Sequence, residues 1–157
     1  MENQLTILSE SLDKKMEVLY AIREYNDRQE KLFTAPEVNM NAFDDAVAEK
    51  GRLIDELTKL DEGFETLYQN IADQIKDKRL LYADQIRLLQ QKITEVMELS
   101  VSIQAQEARN KQLIEQYFEK ERNNLRQNRK SSTAAYNYYK KVSNVDYLPP
   151  QYMDSKQ

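Results

Sequence analysis

The chain has no cysteine and no histidine among its 157 residues, and only two glycines. Without cysteine there is no disulfide framework and no thiolate metal site. Without histidine the commonest general base and the commonest metal ligand are gone. Serine–histidine and cysteine–histidine nucleophile pairs are therefore excluded. So is the Glu-x-x-His motif of metal sites built into helical bundles. Two glycines are too few for a phosphate-cradling loop. No apolar run approaches the ~18 residues that a membrane span needs. The opening stretch MENQLTILSESLDKK lacks a basic region followed by an unbroken apolar core, so no signal peptide is expected. These absences predict a cytoplasmic protein that is not an enzyme, takes no cofactor or metal, and does not insert into a membrane.

What is present is charge and helical rhythm. Charged residues make up 32% of the chain, and tryptophan is absent, a composition of long helices. The net charge of −4 is unevenly spread: residues 126–157 hold six basic and two acidic side chains, which leaves an acidic remainder. Carboxylate pairs such as Asp44-Asp45 and Asp61-Glu62 read as solvated helix faces.

Leu5, Leu8, Leu12, Leu19, Ile22 and Phe33 recur at spacings of three, four or their sums, and predict a first amphipathic helix over about 3–34. On a seven-residue frame its seam weakens beyond Ile22, where Asn26 and Gln29 interrupt it. Ala35-Pro36 ends it, because proline lacks an N–H and disfavours helical geometry in the residue before it. A second helix, about 41–76, is expected to start on the cap of Asn41 and to carry Phe43, Val47, Ile54, Leu57, Phe64, Tyr68, Ile71 and Ile75. Gly51 and Gly63 lie inside it and read as close helix approach or simple tolerance, not as hinges. A third stripe runs from Leu81 or Tyr82 through Ile86, Leu89, Ile93, Val96, Leu99 and Ile103. No proline or glycine separates it from the second, so a turn is placed within Asp73–Arg79, where Lys76, Lys78 and Arg79 suit a helix C-terminus.

The expected fold is all-α, an antiparallel three-helix up-down-up bundle over 1–127, coiled-coil-like in its seam. A third helix of about 80–126 would overhang its neighbours by ~15–20 Å at 1.5 Å per residue. Residues 104–112, QAQEARNKQ, have no apolar side chain larger than alanine, and the core is expected to fade there. Beyond them Leu113, Ile114, Tyr117, Phe118 and Leu125 form a bulky cluster on the overhang, a candidate interaction surface.

Residues 128–157 form a basic, tyrosine-rich tail, with five of the ten tyrosines between Ala134 and Met153 and a short helix expected over 133–142. Its Pro-Pro pair and scarcity of aliphatic residues predict a segment that orders on a partner. The basic run RQNRK, Arg126–Lys130, reads as a solvated helix end, since nucleic-acid binders show a basic domain and this body is acidic.

Two stretches carry a family resemblance. EKGRLIDELTKLDEGF, Glu49–Phe64, resembles the second helix of the FlgN/FliT-like flagellar type III export chaperones, and IQAQEARNKQLIEQYF, Ile103–Phe118, resembles their third. The resemblance covers roughly residues 1–125 and does not extend to the long tail. It implies a chaperone that binds the C-terminal helices of hook-associated or filament-cap subunits and delivers them to the export gate. On that reading Leu113, Ile114, Tyr117, Phe118 and Leu125 would hold cargo, and Tyr136, Tyr138 and Tyr139 would dock on an export-gate component. The alternative from the residues alone is a structural coiled-coil scaffold, with the overhang buried in a homodimer.

Overall fold

The structure is a computed structural model, and it describes residues 1–122 together with 137, 138, 140 and 141. Three helices account for the body: α1 (Glu2–Thr34), α2 (Met40–Asp77) and α3 (Ala83–Lys120). α1 ends where Ala35 turns extended (φ −73°, ψ 155°), the geometry that the following Pro36 imposes. α2 is capped by Asn39, whose side chain accepts from the Ala42 amide at 3.1 Å. The cap therefore lies two residues before the asparagine expected from sequence. Asn39 wins because an N-cap must itself stay outside the helix, in extended backbone, and Asn41 is already inside it.

The turn between α2 and α3 spans Lys78 to Tyr82 and begins at the far end of the stretch predicted for it. The Lys78 amide closes α2 on the Gln74 carbonyl at 3.0 Å, and the Lys78 carbonyl then accepts from Leu81 and Tyr82. Ile75 is buried, so the apolar stripe of α2 carries the helix past Asp73 before it can stop.

Topology is legible in the pairings. Asp13 meets Lys92 and Asp27 meets Gln106, both 79 residues apart, while Asn110 meets Asn26 across 84. A nearly constant separation means that α1 and α3 run parallel. Lys15 meets Asp61, Gln29 meets Lys50 and Phe33 meets Phe43, so α2 runs the other way. The chain is thus an up-down-up three-helix bundle. α1 packs along both other helices, whereas the backbones of α2 and α3 barely approach each other. A seam is left between them on the side away from α1.

Leu5, Leu8, Leu12, Leu19 and Ile22 of α1 are buried with Ile54, Leu57, Phe64, Ile71 and Ile75 of α2 and Ile86, Leu89, Ile93, Val96, Leu99 and Ile103 of α3. Each such side chain stabilises the bundle by roughly 1.5–3 kcal/mol at most. Lys15 also lies within the seam of α1, with its ammonium carried out to Asp61 at 2.7 Å.

The overhang is not there among the described residues. α3 has 38 residues, as many as α2, and stops at Lys120 within a turn of Tyr117. The Tyr117 ring lies edge-on to Phe33 near the end of α1, at 5.5 Å, and Phe33 lies edge-on to Phe43 at 5.1 Å. The aromatic residues at the ends of three helices thus close the bundle instead of projecting from it.

Candidate functional site

The seam of α1 weakens at Asn26 and Gln29, and α3 turns polar at Gln106, Glu107 and Asn110. Because α1 and α3 are parallel and in register, these two interruptions meet at one height. Lys50 arrives at the same height from α2. None of the six is lost to solvent: Lys50 and Gln29 are fully buried, and Asn26, Asn110, Glu107 and Gln106 are at most 9% exposed. The expected fading of the core is therefore corrected: Gln106, Glu107 and Asn110 of the stretch 104–112 lie inside the bundle and build a polar layer.

Lys50 holds the layer together. Its Nζ lies 2.8 Å from Glu107 Oε1, and it donates to Gln29 Oε1, also at 2.8 Å. Asn110 Nδ2 donates to the Asn26 carbonyl at 3.0 Å and approaches Gln29 Oε1 at 3.5 Å. Asn26 Nδ2 donates to Gln106 Oε1 at 3.3 Å, and Gln106 Nε2 donates to Asp27 at 2.9 Å. Among the described residues Asn26 Oδ1, Gln29 Nε2 and Glu107 Oε2 have no hydrogen-bond partner.

The outer wall of the layer is Tyr138. Its hydroxyl donates to Glu107 Oε1 at 2.5 Å, and the Lys50 ammonium lies over its ring, 4.2 Å from the centroid. Only 3% of Tyr138 is exposed. Residues 137, 138, 140 and 141 are helical, and Lys141 pairs with Asp55 of α2 at 3.0 Å. This segment lies against a second stripe of α2, formed by Asp44, Val47, Ala48, Gly51 and Asp55, around a cavity of about 440 Å³. Among the described residues a Cβ built on Gly51 would meet only the Lys141 ammonium, at an ordinary contact distance of 3.5 Å, so Gly51 is tolerated and not required by a close helix approach. Gly63 has nothing within 4 Å and is simply tolerated.

The sequence-predicted site residues are thus dispersed. Ile114 is core, at 3% exposure, and Tyr117 and Phe118 are half-buried in the aromatic closure. They are not an unpaired surface, because α1 and α2 reach as far as α3 does. Leu113 is also half-buried. Tyr138, expected to face a partner, is buried in its own bundle, since Glu107 and Lys50 offer its hydroxyl and ring a seat. Leu125, Tyr136 and Tyr139 lie outside the described residues, as does most of the short helix expected over 133–142.

Compared with protein-family models, with curated proteins and with solved structures, the chain gives no match. The site therefore rests on its own geometry. Among the described residues no cluster of three or more acidic side chains is placed to hold a metal ion, and no helix is long and apolar enough to cross a membrane. The layer brings together one cation, one carboxylate and a set of amides, fixed by packing beneath Tyr138.

Burial lowers the Lys50 ammonium from 10.5 to about 8, against the opposing pull of the Glu107 carboxylate. The folded protein then releases this proton before the unfolded chain does. Below pH 8 the burial penalty is fully present. Between about 8 and 10.5 the unfolded chain holds more protons, so the contribution of Lys50 to stability rises with pH. Burial pushes the Tyr68 phenol upward from 10.0, which opposes the Lys50 trend only near the top of this window and is common to wild type and Lys50 variants. Urea unfolding of wild type and Lys50→Met at pH 7.5 and 9.5 should show the wild type gaining on the variant by about 2 kcal/mol. A difference that does not change with pH would mean that Lys50 keeps its ordinary proton affinity in the fold.

Proposed function

We propose that this chain is a cytoplasmic chaperone of the flagellar type III export class. On this reading it binds the C-terminal helices of hook-associated or filament-cap subunits and delivers them to the export gate. The observation that carries the reading is the seam between α2 and α3, which already receives a helical segment of the chain's own through Tyr138 and Lys141. A surface that seats one short helix is suited to an amphipathic helix from another protein. Support also comes from the resemblance of Glu49–Phe64 and Ile103–Phe118 to that family and from the lack of cysteine and histidine.

On this geometry cargo docks on the stripe of Val47, Ala48, Gly51 and Asp55, not on Leu113, Tyr117 and Phe118. Delivery is assigned to the tyrosine-rich segment that begins beyond α3. Titration of the full-length protein with peptides of hook-associated and filament-cap C-terminal helices should give one-to-one complexes. Ala48 is exposed on that stripe, so Ala48→Arg should leave the circular dichroism unchanged and weaken the complexes about tenfold or more. Failure of every such helix to bind would remove the chaperone reading. Concentration-dependent self-association would then point to the scaffold alternative.

A further inference from the structure

The seat of Tyr138 is more selective than an apolar groove would be. Its floor is the buried Lys50–Glu107 pair, with side-chain exposures of 0% and 8%. The carboxylate accepts the phenol hydroxyl, and the ammonium lies under the ring face. Phenylalanine would fill the same space but bring no O–H donor to a carboxylate already largely removed from water. Serine or threonine would supply a donor but no ring for the ammonium. Three positions further along the same helix face, Lys141 reaches Asp55. Ala48 and Gly51 line the surface between these contacts.

We infer that Lys50, Glu107 and Asp55 together form a reading head on the α2–α3 seam for a partner helix that carries tyrosine and, three residues later, lysine or arginine. The inference rests on the proposal that the seam receives a partner helix, and it adds the chemistry by which that helix is chosen. The chain's own segment displays the pattern as Tyr138 and Lys141. A cargo helix that shares it can take the same hydroxyl acceptor, the same ring contact and the same ion pair. A helix offering leucine or phenylalanine there would leave the buried pair covered but one hydrogen bond short.

The test uses full-length protein carrying Tyr138→Ala, with a fluorescent peptide copy of residues 131–146 as probe, read by anisotropy. The probe should bind, and its Tyr138→Phe form should bind about tenfold more weakly or worse, as loss of a hydrogen bond to a charged acceptor requires. A Lys141→Glu form of the probe should also be weaker, and increasingly so at low salt. In protein that also carries Glu107→Gln the preference for tyrosine over phenylalanine should shrink severalfold. Equal binding of the tyrosine and phenylalanine probes overturns the inference, and so does a tyrosine preference that Glu107→Gln leaves intact. Should that doubly substituted protein fail to fold by circular dichroism, the comparison of probes on the Glu107 protein decides alone. Flagellar helices then separate the two proposals. If none binds while the probe still discriminates, the reading head stands and the cargo assignment falls. If they bind without regard to tyrosine, the chaperone reading stands and the reading head falls.

Discussion

Glu107→Leu is expected to destabilise the fold by about 3–5 kcal/mol, the usual cost of leaving a buried charge without its partner. Among the described residues Lys50 would keep Gln29 and the face of Tyr138 as company for its ammonium, and neither carries a charge. Lys50→Met should cost a similar amount, because Glu107 would then keep the Tyr138 hydroxyl but lose the cation that lies 2.8 Å from it. The double variant, Lys50→Met with Glu107→Leu, should recover most of the loss, since replacing a whole buried pair by apolar groups is often close to neutral. Recovery will not be complete. Gln29 Oε1 loses its shortest donor and the Tyr138 hydroxyl loses its acceptor, which leaves about 1–3 kcal/mol of unmet hydrogen bonding. Adding Tyr138→Phe should relieve part of that remainder. Urea midpoints at unchanged slope read all four proteins. Single variants that merely add, without recovery in the double, would show that the pair is not coupled in the fold.

Phe43→Ala carries the second large effect, about 3–5 kcal/mol, from lost burial and the cavity left behind. Phe43 is fully buried, one turn inside α2, and its ring stands edge-on to Phe33. Its removal takes one wall from the closure in which Phe33 meets Tyr117 and Tyr117 meets Phe118, each ring to ring at 5.5 Å. Because the site lies near the start of α2, the first turn can partly fray, and the value should fall in the lower half of that range. Thermal unfolding measures the cost, and amide exchange in residues 40–47 should rise with it. A near-zero cost would mean that Phe43 does not hold the closure together, and that Tyr117 and Phe118 could be the exposed surface that their position after a polar stretch suggests in the sequence.

The two results bear on how far a sequence of this kind can be read. The stripes Leu5 to Ile22, Phe43 to Ile75 and Ile86 to Ile103 became core, save Tyr68, which is partly buried against it, because spacing of three and four residues places them on one helix face whatever lies opposite. Pro36 ended α1 where local sterics say it must. The third helix was read as too long because nothing in the chain beyond Lys120 signals a stop: there is no glycine or proline near it. The overhang, and with it the cargo surface on Leu113 to Leu125, followed from that one length.

The polar layer was the larger miss, and a signal for it existed. Asn26 and Gln29 interrupt the seam of α1, Gln106, Glu107 and Asn110 interrupt that of α3, and Lys50 falls on the stripe of α2 between Val47 and Ile54. The interruptions in α1 and α3 looked like the end of a core when each helix was taken alone, and Lys50 went unread within its stripe. Placed at the same height, they complement one another in charge and hydrogen bonding.

Sequence by itself determined the class of this protein: three amphipathic helices, their inward faces, their order, and the absence of cysteine and histidine. These are local properties, set by backbone geometry and side-chain identity within a few turns. Tertiary structure decided that the polar residues of three helices share one layer, that α2 and α3 leave a seam, and that Tyr138 fills it. Such facts depend on the axial register of one helix against another. Register is set by packing summed over the whole bundle, and no stretch of the chain encodes it alone.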